Sequence, residues 1–242
     1  MKKLILLLLF LLNFSVFSQT TETINKFYDA IFANDIKIVQ QLLKKDFPAN
    51  SEPKNKITPL QASIWQKNLN LVKLLVENGA NIDSKKKSAV LEASEKGEIK
   101  ILKYLIEKGG NIKTSEAFSV AGLNNCYECA KLLLLNGANQ TIGDIRGKLW
   151  IFEQAVIKSD YQVLDLLKMN NDEINNNNCN GETALIIAIK KNNIDMVKYL
   201  LKIGVNKNKP ETFNCGDDIT YGLKPIQIAK KSKRVEIIKL LI

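Results

Sequence analysis

The chain has 242 residues, 35 Lys and Arg against 25 Asp and Glu, and no histidine, for a formal net charge of +10. Without imidazole it holds no Ser-His-Asp or Cys-His nucleophile and no His-ligated metal site, and its lysines are spread along the chain rather than clustered as nucleic-acid binding asks. No Gly-rich phosphate loop is present, Gly216-Asp217-Asp218 is a lone acidic turn, and carboxylates such as Glu95 and Glu98 stand among lysines, so no catalytic, cofactor or metal residues are expected.

At the start of the chain, Met1-Lys2-Lys3 precedes an apolar run from Leu4 to Leu12, and Val16-Phe17-Ser18 stands ahead of Gln19. A basic start, a short apolar core and small residues before a cut are the layout of a secretory signal peptide. The run is too short to span a bilayer comfortably, which makes an uncleaved anchor the lesser alternative. Cleavage is expected after Ser18, with no cysteine behind it to take a lipid. The mature chain, 19–242, then carries +8 once Lys2 and Lys3 leave, and is expected to be exported to the periplasm or secreted, with no membrane insertion after cleavage.

From there on the chain repeats. Leu42, Leu75, Leu105, Leu133, Leu167, Leu200 and Leu241 stand in one register, each twelve residues after a small residue: Ala30, Ser63, Ala93, Ala121, Ala155, Ala188 and Ala229. Residues three and four before each leucine are apolar, from Ile38-Val39 to Ile237-Ile238, which makes the buried stripe of an amphipathic helix. A small residue twelve positions earlier predicts a close helix contact. Four residues past the leucines, Asp46, Gly79, Gly109, Gly137, Asn171 and Gly204 are expected to end those helices in the left-handed conformation. Each repeat therefore reads as a short helix, a tight turn, a longer helix and an extended loop. Repeats start near Asn25, Thr58, Ser88, Glu116, Trp150, Thr183 and Lys224, at spacings of 33, 30, 28, 34, 33 and 41.

A two-helix period near 33 is that of ankyrin repeats. Thr58-Pro59-Leu60-Gln61-Ala62 through Gly79-Ala80-Asn81 resembles the ankyrin signature, and Gly181-Glu182-Thr183-Ala184-Leu185 through Gly204 is similar to it again. The resemblance runs over about residues 22 to 242, although the repeats from Ser88, Glu116 and Trp150 lack the Thr-Pro opening. It implies an all-α ankyrin-repeat solenoid of about seven helix-turn-helix units with extended loops, in one elongated domain capped by its first and last repeats.

The resemblance also implies a binding groove. The position two residues beyond the small row faces the concave side in such arrays, and here it holds Phe32, Trp65, Glu95, Leu123, Ile157, Lys190 and Lys231. That row suggests an apolar stripe anchored by Trp65 and ending in lysines, flanked by the loop residues Lys54, Asn55, Lys85, Lys87, Asn180 and Glu182. The spacing of 41 marks a loop insertion over 206–223, where Phe213 and Tyr221 either take part in recognition or fold back on the array.

Four cysteines complete the reading. Cys126 and Cys129 open the second helix of the fourth repeat, as a buried or bridged pair or as a redox dithiol. Stacked loops would bring Cys179 and Cys215 together for a disulfide, with free thiols as the alternative. These features point to an exported, non-enzymatic protein-interaction module, monomeric and without cofactor, with an unidentified protein partner; the net charge reads as a solvated lysine-rich surface or, alternatively, as attraction to a partner of acidic surface. An immunity or inhibitor protein, a redox-active envelope protein and an effector delivered to a host are the alternatives.

Overall fold

The computed structural model describes residues 21–53, 57–85, 87–215 and 218–242. The signal segment expected over 1–18, the loop residues Lys54 and Asn55, and Gly216 and Asp217 lie outside these residues, as do the side chains of Asn214 and Cys215. The described residues form seven successive helix pairs: α1 (Thr21–Phe32) with α2 (Ile36–Leu43), α3 (Pro59–Trp65) with α4 (Leu69–Glu77), α5 (Ala89–Glu95) with α6 (Ile99–Glu107), and α7 (Ala117–Leu123) with α8 (Tyr127–Leu135). Then follow α9 (Ile145–Lys158) with α10 (Tyr161–Leu166), a single turn α11 (Asn171–Ile174), α12 (Ala184–Lys190) with α13 (Ile194–Lys202), a hairpin of β1 (Thr212–Cys215) and β2 (Asp218–Tyr221), and α14 (Pro225–Lys231) with α15 (Val235–Leu241).

These elements form two compact blocks, one ending at Ala117 and one beginning at Phe118. In the first, the leading helices α1, α3 and α5 pack in sequence, and α2, α4 and α6 form a second layer. In the second, α9, α12 and α14 pack in sequence, α8 packs on α10, and α13 on α15. The predicted rows explain this layering. Every residue of the small row is buried, and of the leucine row all but the half-buried Leu42 are buried. Burying a leucine stabilises by about 1.5–3 kcal/mol, so each repeat draws on its neighbour's apolar face for much of its stability.

The small row has a second role that its size alone does not reveal. In each pair its carbonyl accepts a hydrogen bond from the N–H of the residue opening the second helix: Asp35 to Ala30, Asn68 to Ser63, Glu98 to Ala93, Cys126 to Ala121, Asp160 to Ala155, Asn193 to Ala188 and Arg234 to Ala229, at 2.8–3.4 Å. The residue between, at Asn34, Lys67, Gly97, Asn125, Ser159, Asn192 and Lys233, has positive φ and keeps the repeat spacing. Only one of these is glycine. The left-handed cost of the other six is carried by the recurrent hydrogen bond and by the packing on both sides. The opening residue then caps its helix. Asp35, Asn68, Asp160 and Asn193 each accept a backbone N–H from inside the first turn. Loops are tied by side chains reaching the next loop's backbone, as when Asn50 Oδ1 accepts from Asn81, Asp83 from Asn111, Gln140 from Lys168 and Asn175 from Asn206.

Three expectations are corrected. Asp46, Gly79, Gly109, Gly137 and Gly204 end their helices with positive φ, but Asn171 does not. Asn170 and Glu173 form a capping box there, so the segment starts α11 rather than ending α10. The first and fifth repeats reverse the short-then-long pattern, with twelve residues in α1 against eight in α2, and fourteen in α9 against six in α10. Asp144 caps α9 six residues ahead of the matching cap position in the other repeats, so helix replaces loop. The 206–223 insertion is not an extended loop: β1 and β2 pair antiparallel, Thr212 opposite Tyr221 and Cys215 opposite Asp218.

Candidate functional site

In the first block the leading helices expose two aromatics in the same register, Phe32 on α1 and Trp65 on α3, each 44% accessible. Trp65 is exposed but not free to move. Its indole N–H donates to Glu92 Oε1 at 2.5 Å, and Lys96 Nζ lies 5.3 Å from its ring centroid. Glu92 is itself buried on α5 and also pairs with Lys87 Nζ at 3.0 Å. Lys87 bonds Glu95 as well, and Gln61, which closes the capping box of α3 with Thr58, donates to the Lys87 carbonyl at 3.5 Å. Burial disfavours the Lys87 ammonium, but the two carboxylates outweigh it and raise its pKa. The predicted loop residue Lys87 and row residue Glu95 are thus joined, and with Glu92 they hold the indole upright. Lys85 is exposed.

In the second block Leu123, on α7, is 42% accessible and lies at the edge of a cleft of about 550 Å³. Leu149, Trp150 and Ile187 give the cleft an apolar lining, and Arg146, Glu153 and Asn178 give it polar groups. Trp150, noted from sequence only as a repeat start, belongs to this lining because α9 begins five residues before it. The cleft depends on two glycines. A Cβ on Gly122 would stand 2.3 Å from the Gly147 carbonyl oxygen, and one on Gly147 would stand 2.1 Å from that of Ser119, so α7 and α9 meet backbone to backbone. Lys148, buried beside this contact, pairs with Glu173 of α11 at 2.7 Å. Ile157 is half-buried and does not line the cleft.

Lys190, in the basic end of the expected stripe, is engaged within the protein. Lys190 bridges Glu182 at 2.6 Å and Glu211 at 2.7 Å, and although burial opposes its charge the two carboxylates raise its pKa. Lys231 and Asn180 are exposed. The hairpin divides its aromatics. Phe213 lies against Gly181, where an added Cβ would stand 2.7 Å from its ring, while Tyr221 is 71% accessible.

Of the cysteines, Cys126 and Cys129 form a disulfide, with Sγ–Sγ 2.09 Å and Cα–Cα 5.3 Å. The expected Cys179–Cys215 bridge is corrected: Cys179 is a free, exposed thiol. The Cys179 loop meets the hairpin at its base, where Thr212 N–H donates to the Gly181 carbonyl, and the strand carries Cys215 to the hairpin tip. Among the described residues no group of three or more Cys, Asp or Glu is placed to hold a metal ion, and no helix is long and apolar enough to cross a membrane.

Comparison with known proteins agrees with this architecture. The family model for ankyrin repeats (3 copies) matches residues 27–116 and 152–242. The ankyrin repeat protein FPV031 of fowlpox virus (strain NVSL) is 30% identical over 169 residues, 64% of this chain and 47% of its own. An L-asparaginase of Dirofilaria immitis is 26% identical over 170 residues, which cover 67% of this chain but 28% of that protein. The chain thus spans about half the length, or less, of these curated relatives. Among solved structures, the ankyrin repeat domain of Bcl-3, a member of the IkappaB protein family, is 20% identical with a TM-score of 0.55, over 88% of this chain and 97% of that one. With the family model covering most of its length and every helix pair in register, this chain belongs to the ankyrin-repeat family.

Proposed function

We propose that this chain is exported and binds a protein partner without catalysis, its anchor being the Phe32 and Trp65 face of the first block. Ankyrin repeats are a protein–protein interaction module, and the observation that carries the reading here is the state of Trp65. An indole 44% accessible, with its N–H held by a buried carboxylate and its ring faced by Lys96, is ordered before any partner arrives. Trp is the residue most often found as an interface anchor, and pre-ordering removes the entropy cost of fixing it. Leu123 and the Trp150 cleft give the second block an apolar surface of its own. Lys190 and Lys87 are already paired, so the partner is selected by apolar contact with aromatics more than by attraction to lysines. An inhibitor of a toxin or envelope enzyme would use this same surface.

Two measurements test the reading. Mature protein used as bait in an envelope extract is expected to retain a partner that Trp65→Ala loses, with affinity falling by roughly 2–4 kcal/mol, or 30- to 1,000-fold. Equal recovery by both baits would remove the anchor. Export is supported by the segment 1–18 and fits a protein that carries a disulfide. The chain recovered from the envelope is expected to begin at Gln19; a chain found only in the cytoplasm and starting at Met1 would refute export.

A further inference from the structure

We propose that the Cys126–Cys129 bridge is a thiol–disulfide exchange site, with Cys126 the attacked sulfur and a low-molecular-weight thiol the co-reactant. Cys126 occupies the opening position of the nine-residue α8, the register that Asp35, Asn68, Asp160 and Asn193 hold in other repeats. Like their oxygens, its Sγ accepts a backbone N–H from the first turn, that of Cys129 at 3.3 Å. Its backbone angles, φ −92 and ψ 81, match those of Asp35 at −81 and 81, Asp160 at −87 and 79, and Asn193 at −89 and 89. Repeats with no disulfide therefore reach the same turn, and the bridge is not what shapes it. A ring closed across three residues also constrains the unfolded chain far less than a long loop does.

The two sulfurs are unequal. Cys126 is half-buried, whereas Cys129 lies in the buried apolar row and is inaccessible. An incoming thiolate thus meets Cys126 Sγ. The new S–S bond forms there, the Cys126–Cys129 bond breaks, and its electron pair leaves on Cys129 Sγ, which takes a proton from solvent. A second thiolate attacks the external sulfur of the mixed disulfide, which releases the oxidised small disulfide and leaves Cys126 as a thiolate. Two small thiols are oxidised and one protein disulfide is reduced. The Cys126 thiolate then takes the place in which Asp35 and Asp160 keep carboxylates, at the positive end of the helix, an environment that favours an anionic sulfur.

The test uses the mature chain with Cys179→Ser and Cys215→Ser, so that only the pair reports, and glutathione as the probe. Reduced glutathione is expected to open the bridge, read as two alkylated cysteines by mass, with far-UV circular dichroism unchanged. In single variants exposed to oxidised glutathione, Cys126 of Cys129→Ala is expected to form the mixed disulfide at least about tenfold faster than Cys129 of Cys126→Ala. A bridge that resists reduced glutathione in the folded state, a loss of helix on reduction, or equal rates for the two cysteines would each overturn the proposal. A folded control with both cysteines replaced by alanine is expected to show wild-type circular dichroism and no glutathione adduct.

Discussion

Alanine at Gly147 is expected to destabilise the second block by about 3 kcal/mol, although the same change in an isolated helix would help. Gly147 lies in the first turns of α9, where alanine gains up to about 1 kcal/mol of helix propensity over glycine. Against that stands the Cβ, placed 2.1 Å from the Ser119 carbonyl oxygen and close to the rest of that peptide. Backbone cannot swing aside as a side-chain tip can, so α7 and α9 must separate, and overpacking of this kind costs about 1–3 kcal/mol or more. The Ser119 hydroxyl bond to the Asp144 carbonyl, 2.7 Å, and the lining of the cleft would shift with them. Urea titration followed by circular dichroism measures the change. Gly137→Ala is the comparison: φ is +78 there with nothing within 4 Å of the added carbon, so the cost is conformational only, about 1 kcal/mol. A Gly147→Ala protein as stable as the wild type would show that the two helices do not touch.

Lys148→Met is expected to be the other severe change, costing about 3–5 kcal/mol near neutral pH. Lys148 is 5% accessible, and its ammonium is 2.7 Å from a Glu173 carboxylate that is itself largely covered. Burial alone would raise the Glu173 pKa; Lys148 and the Asn170 N–H together hold it below the ordinary value. With the lysine gone, a carboxylate stays buried against methionine with the Asn170 N–H as its remaining donor. Two features identify this mechanism. Glu173→Gln added to Lys148→Met is expected to recover much of the loss, since no unpaired charge is left. The pH dependence also has a definite sign. In the wild type, where the folded pKa is depressed, the pair's contribution is present above the unfolded value near 4.3 and is lost as pH falls through the folded one. In the variant the folded pKa lies above the unfolded value, so protonation relieves the burial. The gap between the two proteins should therefore narrow as pH falls from about 6 to below 4. A gap that stays constant with pH would assign the cost to packing instead.

These two sites also show where sequence reading runs out. The leucine and small rows were legible because a repeat imposes the same local geometry many times over, so a buried position recurs at a fixed interval. The row of left-handed turn residues has the same interval but mixes Asn, Lys, Gly and Ser, and a hydrogen bond to the small row's carbonyl stands in for residue type. Gly122 and Gly147 read as ordinary glycines, and Lys148 as one more surface lysine in a lysine-rich chain. Of the expected binding residues, Phe32, Trp65 and Leu123 are exposed as their register implies, while Glu95 and Lys190 are drawn into ion pairs whose partners lie eight and twenty-one residues away.

By itself, the sequence determined the repeat and the buried faces, because these depend on period and on side-chain size, which are local properties. Only the tertiary structure decided which exposed aromatics are held in place, which lysines are spent on internal carboxylates, that the insertion is a hairpin, and that Cys126 pairs with Cys129 while Cys179 stays free. Each of those depends on distances between residues from different helices or loops, and such distances follow from how the repeats pack rather than from any one repeat's pattern.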